Sequence, residues 1–429
     1  MPLGFAAAVS VLLALSVPIF VALCLPVIAL LATTTSTPPE LVIQRLFSGV
    51  DKFPLMAIPF FILAGNLMAT GGLSRRLTDL AVSLVGALPG GLAMTSVASS
   101  MFFSAISGSS PATVVAVGKI MLPAMGEAGY RKPFSIGLLM SAGSLGIVIP
   151  PSIFMIVYGA VTGVSIGALF LAGLGAGLIY GAVFMAMSMI YAWRVGLARG
   201  AVWSAREILR NLKASAWGLA IPVIVLGGIY GGLFTPTEAA AVTVAYAAFV
   251  TMVVYRELDL KGLLAVLLES AVTTAQVMIV VAAASAFAWY LTTSGFAVAV
   301  QALLADIGDD PVKVLLVINV VVLIAGMVLD PNSIIIILVP FLFVLATSAG
   351  IDPIHLGVVL SVNAAIGMFT PPFGLNLFVA STLGVTYRQA VTGSAPFILV
   401  ALVALAVITY VPQVSLWLPS QVYQGIAGN

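Results

Sequence analysis

The stretch GIVIPPS (146–152) sets two adjacent prolines in the middle of an apolar segment, and GMFTPPF (367–373) does so again. In both, a glycine stands four residues before the first proline. Proline has no amide hydrogen and its ring collides with the preceding turn, so a pair of them opens a helix. Sliding the chain by 221 residues lays Pro150-Pro151 on Pro371-Pro372 and Gly146 on Gly367. The same gapless shift pairs Ala128-Gly129 with Ala349-Gly350, and Gly163-Val164 with Gly384-Val385. The two breaks therefore belong to an internal repeat.

Composition fixes the medium. The chain has 429 residues, 62% hydrophobic and 7% charged, where a soluble domain carries roughly 25% charged residues. Apolar runs of spanning length recur throughout, which defines an integral membrane protein. The first run, 5–31, has no basic leader and exceeds a signal-peptide core, so it reads as a retained helix. A net charge of only +2 with scattered basic residues excludes a nucleic-acid surface. The single cysteine, Cys24, lies in an apolar run and reads as a small hydrophobe.

Hydropathy predicts spans near 5–31, 54–70, 133–163, 165–193, 214–231, 236–256, 269–292, 352–383 and 389–412. Residues 91–125, interrupted by SGSSP (107–111), and 312–347, interrupted by DPNS (330–333), read as re-entrant helical hairpins. Kinked full-length spans are the alternative. The expected fold is therefore an all-α integral membrane protein with inverted repeats, two re-entrant helical hairpins and two proline-broken helices, the build of secondary transporters. Its expected divisions are scaffold helices (1–90), a first transport half (91–195), a linker with further scaffold helices (196–311) and a second transport half (312–429).

Basic residues give the orientation. Arg194, Arg199, Arg206, Arg210 and Lys213 form the densest basic cluster, placing 194–213 in the cytoplasm. The loops 231–238 and 293–312 carry no Lys or Arg and read as external. Alternation then puts the N-terminus inside, the C-terminus outside, the first hairpin opening inward and the second outward. One segment disagrees: 32–53 is expected outside yet carries Arg45 and Lys52. Residues 201–213 read as an interfacial helix on the inner leaflet, with Arg206, Arg210 and Lys213 on one face.

In lipid, carbonyls freed by a helix break need partners, so such breaks face protein or a polar cavity. There the bare oxygens suit a hard cation, while the glycines admit close backbone approach. The SGSSP tip adds hydroxyls, and the repeat lays Asp330 on Ser109. An acid at membrane depth is functional by default, and half-helix N-termini suit an anion. Ser107, Ser109, Asn363, Thr370 and Asn376 are the expected substrate contacts. Lys119 reads as a snorkelling side chain, and His355 as a surface residue at a helix start. The chain carries no G-x-x-x-x-G-K-[ST] phosphate loop and no H-E-x-x-H, so neither ATP hydrolysis by that loop nor zinc hydrolysis is expected. A channel is the competing class, though channels do not need two opposed hairpins.

The strings FSGVDKFPLMAIPFFILAGNLM (47–68), SGSSPATVVAVGKIMLPAM (107–125), GSLGIVIPPSIFMIVYG (143–159), FTPTEAAAV (234–242) and GIDPIHLGVVLSVNAAIGMFTPPFGLNLFVAS (350–381) resemble the large, M-type permease subunit of TRAP transporters. The resemblance covers nearly the whole chain, and it implies an elevator-type ion-transporter architecture in which a transport domain moves past a scaffold. It implies a sodium-driven importer of an organic acid, a C4-dicarboxylate first and sialic acid next, in a bacterial inner membrane. It also implies two partners, a small four-helix membrane subunit on a separate chain and a periplasmic substrate-binding protein. Sodium is the implied coupling ion, held near Ser107, Ser109, Ser110 and Gly146, and near Asp330, Asn332, Gly367 and Thr370. LDPNS (329–333) and MFTPP (368–372) depart from the M-E-P-S-S and M-C-H-P-P of some dicarboxylate members. A proton-coupled or free-standing carboxylate carrier is the alternative.

Overall fold

The computed structural model describes residues 17–34, 40–70, 72–197, 203–293 and 310–427, together with 8, 11, 12, 15 and 38. Among the described residues every regular element is helical. Eight helices among the described residues are long and apolar enough to cross a membrane. The chain is a multi-pass membrane protein.

Helix starts are written plainly in the sequence. Asp310, Asp330 and Asp352 each stand before a proline and accept a backbone N–H two residues on, at 3.0, 3.0 and 2.7 Å. Proline at the first helical position sacrifices no bond, and the aspartate satisfies a donor the helix leaves open. Thr235, before Pro236, accepts the Glu238 amide three residues on, at 3.3 Å, and the Glu238 side chain closes a capping box.

Both interrupted segments are pairs of helices packed on each other. The first pair is Gly91–Ser107 and Ser110–Glu127, the second Pro311–Gly326 and Pro331–Ser348. Gly108, at φ 59°, makes the first turn, a conformation that a side chain resists. Each limb has 16 to 18 residues, or roughly 24–27 Å of helix, short of a bilayer's hydrocarbon core. The long apolar stretches beyond them are broken where the prolines stand. Helices Lys132–Gly143 and Leu145–Val148 end before the cis Pro150–Pro151 bond, and Ile153–Thr162 resumes. Pro353–Gly367 ends before the cis Pro371–Pro372 bond, and Leu375–Val379 resumes.

The helices sort into two groups by packing. The hairpins, the broken helices, Ile166–Val195 and Tyr387–Tyr410 pack chiefly among themselves. Glu40–Val50, Ala57–Thr70, Ala205–Tyr230, Pro236–Phe249 and Leu260–Thr293 surround them. Burial follows the grouping: 83% of the most apolar 18-residue stretch of Lys132–Thr162 is buried, against 17% of that of Leu260–Tyr290. The broken helices are central because their open backbone needs protein around it.

Several expectations are corrected. Residues 205–213 are no separate interfacial helix but the first turns of Ala205–Tyr230, since no glycine or proline interrupts them before Gly218. Segment 32–53 holds a helix, Glu40–Val50, and Leu73–Val85 and Gln413–Ala427 are helices outside the predicted spans. His355 is buried, 2% exposed, with Nε2 3.1 Å from the Thr409 carbonyl. Asp352 and Pro353 start the helix early enough to carry His355 under the 387–410 helix. The start of the first span and most of the 293–312 loop lie outside the described residues.

Candidate functional site

At both breaks the glycine is where one backbone touches another. A Cβ on Gly146 would lie 2.7 Å from the carbonyl carbon of Ser109, and one on Gly367 2.6 Å from Cα of Gly326. Each broken helix is thereby pressed against the tip of the hairpin of its own half. Phe373 N–H donates to the Met327 carbonyl at 3.0 Å, which fastens the second tip to the second break.

The halves are also joined to each other. Asn376, beyond the second break, donates to Ser110 Oγ and to the Met140 carbonyl, both at 2.9 Å, and its Oδ1 accepts from Ser110 at 3.1 Å. Ser361 donates to the Ile147 carbonyl at 3.1 Å, and Ser152 donates to the same oxygen. One carbonyl at the first break is therefore partnered by hydroxyls from both halves.

Both hairpin tips open on a cavity of about 850 Å³. Ser109, Ser110, Asp330 and Asn332 line it, opposite Asn66 and Thr70 on one peripheral helix and Glu269, Thr273 and Gln276 on another. Arg75 and Lys119 also line it. Size and mixed lining match a small-molecule site.

The expected site residues separate under this geometry. Ser109 has no hydroxyl partner among the described residues and faces the cavity. Asp330 faces the same space but already accepts from the Asn332 and Ser333 amides, at 3.0 and 3.3 Å, and from the Ser333 hydroxyl. Ser107 is buried behind the tip, 3.2 Å from Thr113 Oγ1. Thr370 donates back to the Ile366 carbonyl at 2.7 Å. Asn363 sits away from the cavity, donating to Asn319 O and Oδ1 at 3.0 Å. Gly146 and Gly367 are buried contacts of the breaks, and Asn376 and Ser110 form the bridge between halves. Thus Ser109, Ser110, Asp330 and Asn332 come together at the cavity, while Ser107, Asn363, Thr370 and Asn376 stand behind it.

Three cavity-lining groups were not among the expected site residues. Lys119 turns toward the cavity rather than simply to an interface, and Arg75 joins it from the 73–85 helix. A lysine ten residues past the SGSSP tip was the available signal. Asn66 was another: its side chain donates to Ser270 Oγ at 3.0 Å and ties two peripheral helices at the cavity wall.

Hairpin tips meeting at a cavity of mixed lining, between two groups of membrane-spanning helices, define a membrane transporter. Comparison with known proteins specifies which kind. The profile of the DctM component of the tripartite ATP-independent periplasmic transporters matches residues 6–414, and the chain belongs to that family. It is 47% identical over 381 residues to a C4-dicarboxylate TRAP transporter large permease protein of Pseudomonas aeruginosa, covering 88% of each chain. It is 41% identical over 413 residues to an isethionate TRAP transporter permease protein of Oleidesulfovibrio alaskensis, covering 94% of this chain and 64% of that one. The solved YdaH transporter of Alcanivorax borkumensis shares the fold, with a TM-score of 0.61 at 16% identity over 91% of this chain and 96% of that one. The family consists of permease subunits, not enzymes.

Proposed function

We infer that this large permease subunit imports a small organic acid by sodium symport, with a periplasmic binding protein and a small membrane subunit as partners. The observation that carries the reading is the cavity itself. Both tips reach it, and Arg75 and Lys119 supply positive charge at its wall. Relatives are named for substrates from C4-dicarboxylate and isethionate to ectoine and sialic acid. A small dicarboxylate suits two separated cations best.

In this reading the groups containing 91–195 and 312–429 move as a transport domain, and 1–90 with 196–311 form the scaffold. Sodium is cargo beside the acid. Ser109 is the open oxygen ligand at the first tip, with carbonyls of the Gly146 segment behind it. Carbonyls of the Gly367–Thr370 segment and the Asp330 and Asn332 side chains serve the second. The N-terminus lies in the cytoplasm and the C-terminus in the periplasm, so a cavity lined by the return limb of the first hairpin faces inward.

The test is uptake of labelled succinate by the assembled system in proteoliposomes. An inward sodium gradient drives it without ATP, and replacing sodium with choline stops it. Equal uptake in choline rules sodium out. Uptake in choline that follows an imposed pH gradient favours proton coupling, for which Glu269 at the cavity wall is the available acid.

A further inference from the structure

A second cavity, of about 370 Å³, lies between the same two groups of helices. Arg45, Ser48 and Lys52 line one wall, Ser285 and Trp289 another, and the return limb of the second hairpin a third. Gln276 of the large cavity and Trp289 of this one share the Leu260–Thr293 helix. Trp289 stands 13 positions beyond Gln276, and the nearest lining residues of the two spaces on this helix, Val277 and Ala284, are roughly 10 Å apart along its axis.

The internal repeat relates the cavities. Adding 221 carries Ser48 and Lys52 of the small cavity onto Glu269 and Thr273 of the large one. It carries Val115 and Lys119 of the large cavity onto Ile336 and Pro340 of the small one. These are two mouths of one repeated interface, one at each end.

Their charges differ. The large cavity mixes Arg75 and Lys119 with Glu269 and Asp330, whereas among the described residues the small one is lined by Arg45 and Lys52 and by no acid. Among the described residues neither Arg45 nor Lys52 is in an ion pair. The Arg45 guanidinium carbon lies 5.2 Å from the Trp289 ring centroid, within cation–π reach of the ring at the cavity wall. Lys52 Nζ donates one hydrogen bond, to the Ala160 carbonyl at 2.9 Å, and keeps two further donors. These are also the two basic residues that contradict the charge rule for an external segment. An anion to be bound there supplies the reason for them.

We propose that Arg45 and Lys52 form a second anion site, which takes the carboxylate or sulfonate of a small organic acid at the mouth opposite the central cavity. Arg45 provides the two-pronged contact and Lys52 the point charge. Binding follows from the cavity alone; its use as an entry station rests on the import reading.

Trp289 reports directly on the site. In the full chain in lipid nanodiscs, succinate changes tryptophan emission saturably, and Trp289→Phe removes the change. Arg45→Gln and Lys52→Gln each raise half-saturation about 10- to 100-fold, as loss of a charge-assisted hydrogen bond does. Lys119→Gln, in the other cavity, leaves the curve in place. Choline chloride at equal ionic strength gives no change. Arg45→Lys, which keeps charge and loses the planar fork, weakens binding and serves should Arg45→Gln not fold. No saturable change in the wild type, the same response to chloride, or an unmoved curve in both Gln variants overturns the proposal. A failure of sodium coupling leaves this titration intact, and intact sodium-driven uptake with no titration overturns this site alone.

Discussion

Single residues decide how the two tips differ. The repeat pairs Ser109 with Asp330, and the structure gives them different work: one hydroxyl open to the cavity, one carboxylate already holding two amides and a hydroxyl. If Asp330 also holds sodium, Asp330→Asn raises the half-saturating sodium concentration about 10- to 100-fold. Expression stays normal, because Asn caps a helix about as well as Asp. A sodium curve that does not move assigns Asp330 to the cap alone. Close backbone contact is the second residue-scale constraint. Gly367→Ala drives a methyl into Gly326 and lowers stability by about 1–3 kcal/mol. Gly227→Ala meets nothing within 4 Å and gains helix propensity of up to about 1 kcal/mol. Thermal unfolding of the two variants in detergent separates packing from propensity; equal midpoints remove the close contact as a constraint.

Elements were legible wherever local chemistry set them. Aspartate before proline, proline pairs and the SGSSP turn each write a start or a stop into the chain, so hairpins and breaks were readable. The 73–85 helix was not, because its stability comes from distant partners. Arg76 lies 2.7 Å from Glu257, with its guanidinium 3.8 Å from the Tyr255 ring centroid. Burial pushes the Glu257 carboxyl up, but the Arg76 hydrogen bond, the Gly72 amide and the Arg76 charge outweigh it and hold the group below the usual range. A lowered carboxylate stabilises fully above its unfolded pKa and loses that contribution as pH falls through the folded one. Glu257→Gln is therefore less stable than wild type by about 0.5–1 kcal/mol at neutral pH. The difference closes below the ordinary glutamate range. A gap that persists at low pH means shape rather than charge holds the pair.

Across the whole molecule, the membrane class and the 221-residue repeat could be read from composition and spacing. The cavity could not, because its walls come from six separate regions of the chain. Arg75, Lys119 and Glu269 share no motif, and only folding brings them to one space. His355 was misplaced for the same reason: its partner, Thr409, lies 54 residues away. At this scale the import reading makes one further demand. The purified large subunit alone moves no succinate, and uptake returns when the small subunit and a cognate binding protein are added. Robust uptake by the single chain points to a free-standing carrier.

The Asn376–Ser110 bridge has a consequence for biosynthesis. Its partners are 266 residues apart, so the ribosome is near the end of the 429-residue chain before Ser110 can meet Asn376. The Ile147 carbonyl, which Ser152 of its own half already partners, gains its second donor from Ser361 almost as late. Until then the first half sits in the bilayer with polar groups unsatisfied, a state for which a membrane chaperone or the translocon itself is the natural host. Cutting the gene within 198–202, outside every described helix, gives fragments that stay proteolytically fragile when made singly. Made together they protect each other, which limited proteolysis of membranes from single and paired expression will reveal; equal resistance in single expression means the halves mature independently.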